Sequence, residues 1–167
     1  AKSSLKFAHV VLNTIDALHY KISREDNSPI EELIEFCLTN QIDLLIGIGG
    51  GFVLDVVKRV SLLSGIENLL VPTIISNDGL ISPIAVIPDQ SGKTHSLPGK
   101  MPLGIVVDID IIRDAPVRFL QAAAGDILSN ISATNDWVHA YRHSGEPIND
   151  LAYMLSRSSA LSLIHHE

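Results

Sequence analysis

Cysteine occurs once, as Cys37, among 167 residues. One thiol cannot build a disulfide framework, and the expectation that follows is a cytosolic protein. Cys37 lies in the helix-like run Glu31–Asn40, where it reads as a small core residue. Long apolar runs are missing too. None approaches the ~20 residues of a membrane span, and none has the make-up of a secretory signal. Positive charge is scarce: Lys and Arg total 12 against 19 Asp and Glu, for a net charge of −7, with no basic block. A chain this acidic has little electrostatic pull on nucleic acid or an anionic membrane, so neither is an expected partner. What is present is apolar bulk. At 46% hydrophobic content the chain can fill one domain, or one domain and part of another. It opens on Ala1, and His165-His166-Glu167 follow an apolar helix-like run directly, so both ends read as cuts within a longer protein.

Along the chain, Phe7–Asn13 (FAHVVLN) reads as a short strand. A polar stretch, Ser23–Ser28, precedes Ser28-Pro29 with Glu31 and Glu32, which together signal a capped helix start with acids at its positive end. The helix expected over Ile30–Asn40 puts Leu33, Ile34 and Cys37 on one face. Asp43–Ile48 (DLLIGI) is apolar without alternation, the pattern of a parallel strand buried on both faces. Val53–Ser64 suits a helix packed on a sheet. Asn68–Pro72, Ile81–Ile87 and Leu103–Val107 read as further strands, with a turn at Asp89–Gly92 and His95–Leu97 pairing back as a hairpin. After Ala115-Pro116 only helical patterns remain, over Pro116–Arg142 and Ile148–His165. The expected architecture is therefore α/β: a parallel-sheet nucleotide-binding domain over residues 1–114, then the first helices of an all-helical domain over 115–167.

Two stretches carry the chemistry. In IGIGGGFVLDVVK (Ile46–Lys58) a strand runs into three adjacent glycines and then a helix. Glycines let a ligand approach the backbone closely, and the first amides of the helix, with its dipole, attract an anion. Gly49, Gly50, Gly51 and the amides of Phe52 and Val53 form the candidate cradle. The run is neither G-x-G-x-x-G, because position 52 is Phe, nor a Walker loop. The competing reading is a strand-to-helix turn that merely needs flexibility; three glycines at the carboxyl end of a buried strand favour pyrophosphate. In VPTIISNDGLISP (Val71–Pro83), Thr73, Ser76, Asn77, Asp78 and Ser82 follow the end of the next strand. Hydroxyls there suit a nucleotide and an Asp suits a polyol, while an Asx-type turn closing on itself is the alternative. A third group, AAAGD (Ala122–Asp126), places a carboxylate among apolar neighbours. Asp126 is either one ligand to a divalent metal or a helix N-cap after Gly125. His139 and His143 are spaced as a metal pair could be, without the carboxylate of H-E-x-x-H; His9, His19, His95, His165 and His166 read as structural or solvated.

Taken in order, IGIGGGFVLDVVK, VPTIISNDGLISPIAVI, SLPGKMPLGIVVDIDIIRDAP and AAAGDILSNISATNDW resemble the sn-glycerol-1-phosphate dehydrogenases, within the group that includes metal-dependent glycerol dehydrogenases and 3-dehydroquinate synthase. The likeness runs from about Asp43 to about Ala160. It implies a nucleotide-binding domain facing a helical one, with Gly49, Gly50, Gly51, Phe52 and Val53 on the cofactor pyrophosphate and Thr73, Ser76 and Ser82 on the nicotinamide side. It also implies substrate contact by Asp78, and substrate and metal contact by Asp126, the catalytic carboxylate. Phe52 stands where the family more often has a polar or basic side chain, so NAD and NADP both stay open. The family's zinc-like divalent metal needs two histidines that this chain does not supply.

The chemistry implied is hydride transfer between dihydroxyacetone phosphate, a small phosphorylated polyol relative, and sn-glycerol 1-phosphate. This chain alone is expected to be inactive, and to self-associate through an apolar helical face including Ala152, Leu155, Ser159, Leu161 and Ile164. Two other readings compete: a lyase of the dehydroquinate synthase type, with Lys58, Lys93 and Lys100 as the basic residues near its loops, and a nucleotide-binding module without catalysis.

Overall fold

A computed structural model describes residues 7–11, 13–23, 29–89 and 91–165. Helix α1 (Pro29–Thr39) carries Glu31 and Glu32 in its first turn, where the helix dipole favours them, and buries Leu33 and Cys37. Ser28, expected to cap it, lies outside the described residues. Strand β1 (Leu44–Gly49) follows, then helix α2 (Gly51–Ser64) and strand β2 (Glu67–Pro72). β1 and β2 are parallel from Leu44↔Glu67 to Gly49↔Pro72. A short strand β5 (Gly104–Ile105) pairs in parallel on the far side of β2, giving the order β1-β2-β5. Between them β3 (Ile84–Pro88) and β4 (Thr94–Pro98) form the expected antiparallel hairpin as a separate sheet.

α2 is the packing hub. It lies against β1, β2 and the β3–β4 hairpin, with α1 against it in turn. Leu54, Val56, Val57 and Val60 of α2 meet Leu45, Leu70, Ala85 and Ile87 from the strands and Leu33 and Cys37 from α1. Burying such aliphatic side chains is the main term holding this unit together, at roughly 1.5–3 kcal/mol for each fully buried one.

Three expectations change. Residues 7–11 are helical, not a strand. The amides of Asn13 and Ile15 donate to the carbonyls of His9 and Val11 at 3.0 and 3.1 Å, closing helical turns; a short apolar run without flanking strands does not choose between periods. β1 is buried on one face only: Leu44 and Ile46 are 37% and 38% exposed, because α2 covers the other side. The strand expected over 103–107 shrinks to two residues and gives way to a short helix, α3 (Ile109–Arg113). Asp108 caps α3, its Oδ1 accepting from the amides of Asp110 and Ile111 at 2.9 and 3.2 Å.

Two long helices complete the chain. α4 (Val117–Ser144) ends at Gly145, which adopts the left-handed φ of 72°. α5 (Asp150–Ile164) starts at Asn149, whose Oδ1 accepts from the Ala152 amide at 3.0 Å. The two pack on each other, joined by Trp137 Nε1 donating to the Pro147 carbonyl and by Arg157 donating to Asn135. Few of their residues are buried: Ala123 and Thr134 on α4 and Ala160 on α5. Leu151, Met154, Leu155 and Ile164 stand exposed on α5. By contact density the chain divides into one unit of Ala1–Ile75 with Gly79–Pro116 and another of Ser76–Asp78 with Val117–Glu167. Among the described residues no helix is long and apolar enough to cross a membrane.

Candidate functional site

The glycine turn sits where β1 ends and α2 begins. Gly49 closes the strand, Gly50 takes the N-cap position at φ −85° and ψ 175°, and Gly51 is the first helical residue. None of the three has a positive φ, so backbone conformation does not require glycine here. Packing bears on two of them, more firmly at Gly49 than at Gly50. A Cβ on Gly49 would lie 2.8 Å from Val53 Cβ, and one on Gly50 would lie 2.9 Å from Ile74 Cδ1. A Cβ on Gly51 would meet nothing within 4 Å. The helix start has no side-chain cap and no acid in its first turn, so neither answers the positive end of the dipole.

The carboxyl end of β2 lies beside this turn. The Thr73 amide donates to the Gly49 carbonyl at 2.9 Å, and the Gly50–Ile74 approach fixes the next residue. Thr73 is 3% exposed and lines a cavity of about 220 Å³ with Phe7, Ile74, Ile111, Asp114, Ala115 and Pro116. Two of the expected cofactor contacts, the glycine turn and Thr73, therefore share one rim of the sheet. Further along, Gly79–Ser82 forms a closed turn: the Ser82 hydroxyl donates to the Gly79 carbonyl at 2.9 Å. With its proton committed there, Ser82 Oγ keeps its lone pairs as acceptors.

Lys58 was readable in the sequence only as a base near these loops. In the structure it is 2% exposed, and its ammonium is paired with Asp55 at 2.8 Å and bonded to loop carbonyls. Lys100 is paired with Glu67 and donates to the Gly65 carbonyl. Two of the three lysines that a phosphate-binding lyase could recruit are thus occupied by the chain itself. No local pattern announces a buried lysine; its apolar neighbours in α2, Val56, Val57 and Val60, are the only trace.

In the second unit, Asp126 is the tenth residue of the unbroken helix α4, which removes the N-cap reading. Its Oδ2 accepts from the Asp78 amide at 3.0 Å, so the two carboxylate residues assigned to substrate are neighbours. Ser76 is half-buried in the same short segment. His139 and His143 stack with ring centroids 4.0 Å apart, and His143 Nδ1 donates to the His139 carbonyl; stacked rings do not converge on an ion. His95 pairs with Asp89 at 2.8 Å. Among the described residues no group of three His, Cys, Asp or Glu could hold a metal ion.

A parallel sheet with its crossover helix, an antiparallel hairpin and then helices alone after Pro116 define an α/β architecture. The sequence model for iron-containing alcohol dehydrogenases matches residues 2–116, and the chain belongs to that family. It is 37% identical over 135 residues to a glycerol-1-phosphate dehydrogenase (NAD(P)+) of Thermococcus sibiricus, covering 81% of this chain and 38% of that protein. To the protein of the same name from Methanosphaera stadtmanae it is 38% identical over 157 residues, covering 92% and 45%. The crystal structure of a probable glycerol dehydrogenase from Sinorhizobium meliloti superposes with a TM-score of 0.69 at 30% identity, covering 78% of this chain and 38% of that one. The chain thus spans less than half the length of these relatives.

Proposed function

We propose that this chain supplies the dinucleotide-binding part of an sn-glycerol-1-phosphate dehydrogenase, with residues 1–114 as the nucleotide domain and 115–167 as the first helices of a helical domain. The observation that carries the reading is Gly51. It is a glycine that neither backbone conformation nor packing demands, at a helix N-terminus without a side-chain cap. A ligand that must come close to the backbone explains it, and a pyrophosphate is the anion such a terminus suits. The names of the relatives, glycerol-1-phosphate dehydrogenase (NAD(P)+), support the same cofactor.

Each residue then has a task. Gly49 and Gly50 let the turn close against Val53 and Ile74, and the first turn of α2 at Gly51 and Phe52 would hold the diphosphate; the Val53 amide, expected in the cradle, donates instead to the Gly50 carbonyl at 2.9 Å. Thr73 and Ser82 would contact the nicotinamide half, where the Ser82 hydroxyl, its proton given to the Gly79 carbonyl, could serve only as an acceptor; Ser76 is assigned to the nicotinamide as well. Asp78 and Asp126 receive substrate hydroxyls. A nicotinamide held by these residues would supply the hydride chemistry that interconverts dihydroxyacetone phosphate and sn-glycerol 1-phosphate. The described residues do not make a metal centre: Asp126 offers one carboxylate, already bonded on one oxygen to the Asp78 amide. A divalent ion, zinc included, therefore needs ligands from outside them, and the chain alone should bind dinucleotide without turnover. The lyase reading loses support because Lys58 and Lys100 are committed within the fold.

The test is calorimetric titration of the chain with NAD+, NADP+ and ADP, beside an assay with NADH and dihydroxyacetone phosphate. Binding without turnover is the expected pair of results. Absence of any nucleotide binding would overturn the proposal.

A further inference from the structure

We propose that Lys58 is a positioning residue that locks the turn carrying Ser82 to the helix carrying the glycine cradle. This rests on the dinucleotide reading above. Lys58 stands seven residues after Gly51 on α2, about 10 Å along one rigid helix. Its ammonium donates to the carbonyls of Gly79 at 3.0 Å and Ile84 at 2.5 Å, with Ser82 O a weaker third acceptor at 3.5 Å. Asp55, one turn earlier on the same helix, holds the ammonium at 2.8 Å. Every loop acceptor comes from the six residues that bracket Ser82, and Gly79 O is also the acceptor for the Ser82 hydroxyl.

A buried ammonium is expensive unless its protons are all satisfied. Here that requirement becomes a geometric constraint: with one N–H on Asp55, the carbonyls of Gly79 and Ile84 must stay where the other two reach them. The space around the stem is closed as well. The Lys100 amide donates to the Lys58 carbonyl at 2.9 Å, and a Cβ on Gly99 would come within 3.1 Å of Lys58 Cβ. Through Lys58, one helix therefore sets both ends of the expected ligand: amides of its first turn for the diphosphate, and the Ser82 turn for the nicotinamide. A lysine that only filled the core would stabilise the whole unit without distinguishing those two ends.

The experiment compares ligands that reach one end or both. In Lys58→Met, ADP affinity should stay within about twofold while the Kd for NAD+ rises at least ~10-fold, the equivalent of about 1.4 kcal/mol. Equal losses for both ligands, or an unchanged NAD+ affinity, would overturn the proposal. Should Lys58→Met fail to fold, Asp55→Asn keeps the lysine and loosens only its anchor. Hydrogen exchange should then quicken across residues 79–84 and not in β1 or β2; a uniform change would refute positioning. If the unmodified chain binds neither ligand, the dinucleotide reading fails by itself, and the exchange measurement still decides whether Lys58 holds the loop.

Discussion

Replacing Gly51 with alanine separates folding from ligand binding at a single atom. The new Cβ would find nothing within 4 Å, and Gly51 is already helical without a positive φ. The folded state is therefore unstrained, while the unfolded chain loses conformational freedom. A compatible Gly→Ala change stabilises by about 0.4–1 kcal/mol, which for a chain of this size raises the melting temperature by roughly 1–4 °C. A diphosphate lying against the turn would meet the added methyl where it now meets only backbone. A loss of two amide bonds at about 0.5–1.5 kcal/mol each puts the expected fall in ADP and NAD+ affinity at ~5-fold or more. Circular-dichroism melting and calorimetric titration on the same protein read the two effects. A variant that melts higher and binds as well as the parent would show that no ligand approaches Gly51, and the reasoning would fail. A variant that melts lower would show that the open space is not open.

Gly49→Ala should behave oppositely. Its Cβ would press on Val53 Cβ at 2.8 Å, so overpacking by about 1–3 kcal/mol is expected, read as a lower melting point; an unchanged one would contradict the packing. Gly50→Ala meets only the flexible end of Ile74, with Cδ1 at 2.9 Å, and should destabilise less than Gly49→Ala in the same melt. Asp89 is held below the usual carboxylate range by its bonds to the Ser91 hydroxyl and to His95. Its contribution to the hairpin tip is therefore complete above the ordinary carboxyl pKa of about 3.9 and lost as pH falls below that towards the lowered folded value. Amide shifts of Ser91 and Lys93 should move in acid in the parent and not in Asp89→Asn; matching movement in both removes Asp89 as the cause. Burial pushes the Cys37 thiol up from its ordinary value, so thiol reagents should label it at the rate of global unfolding, and rapid labelling of the native chain would refute its burial.

Which parts of this were legible follows from what each pattern encodes. α2, β2 and the hairpin could be read because their apolar periods and turn residues agree with their packing. β1 could be placed but not oriented. DLLIGI has no alternation, so nothing in it says that Leu45 goes under α2 and Ile46 faces away; that depends on which faces other elements cover. α3 was missed although Asp108 followed by Asp110 is a helix-start signal, because the preceding LGIVV run outweighed it. The helix over 7–11 was missed for the opposite reason. A run of five or six residues carries too few periods to separate a strand from a helical turn, and the local hydrogen bonds decide.

The glycine triplet shows why a motif can be right about place and silent about cause. Three adjacent glycines read alike in a sequence, and all three were assigned to the anion. In the structure they answer to different neighbours: Gly49 to the branched side chain of Val53 in the first turn of α2, Gly50 to Ile74 after the adjacent strand, and Gly51 to nothing within 4 Å of its would-be Cβ. Gly49 would be needed in a protein that bound nothing, because its Cβ would press on Val53 Cβ, while Gly50 crowds only the flexible end of Ile74. Only the third is left without a packing reason, which is what the proposed ligand would supply. Lys58 is the counterpart on the polar side. Its charge suggested a substrate contact, yet burial and four partners turn it inward. In both places the sequence supplies the residue type, and the distances to its neighbours decide whether that type serves the fold or the ligand.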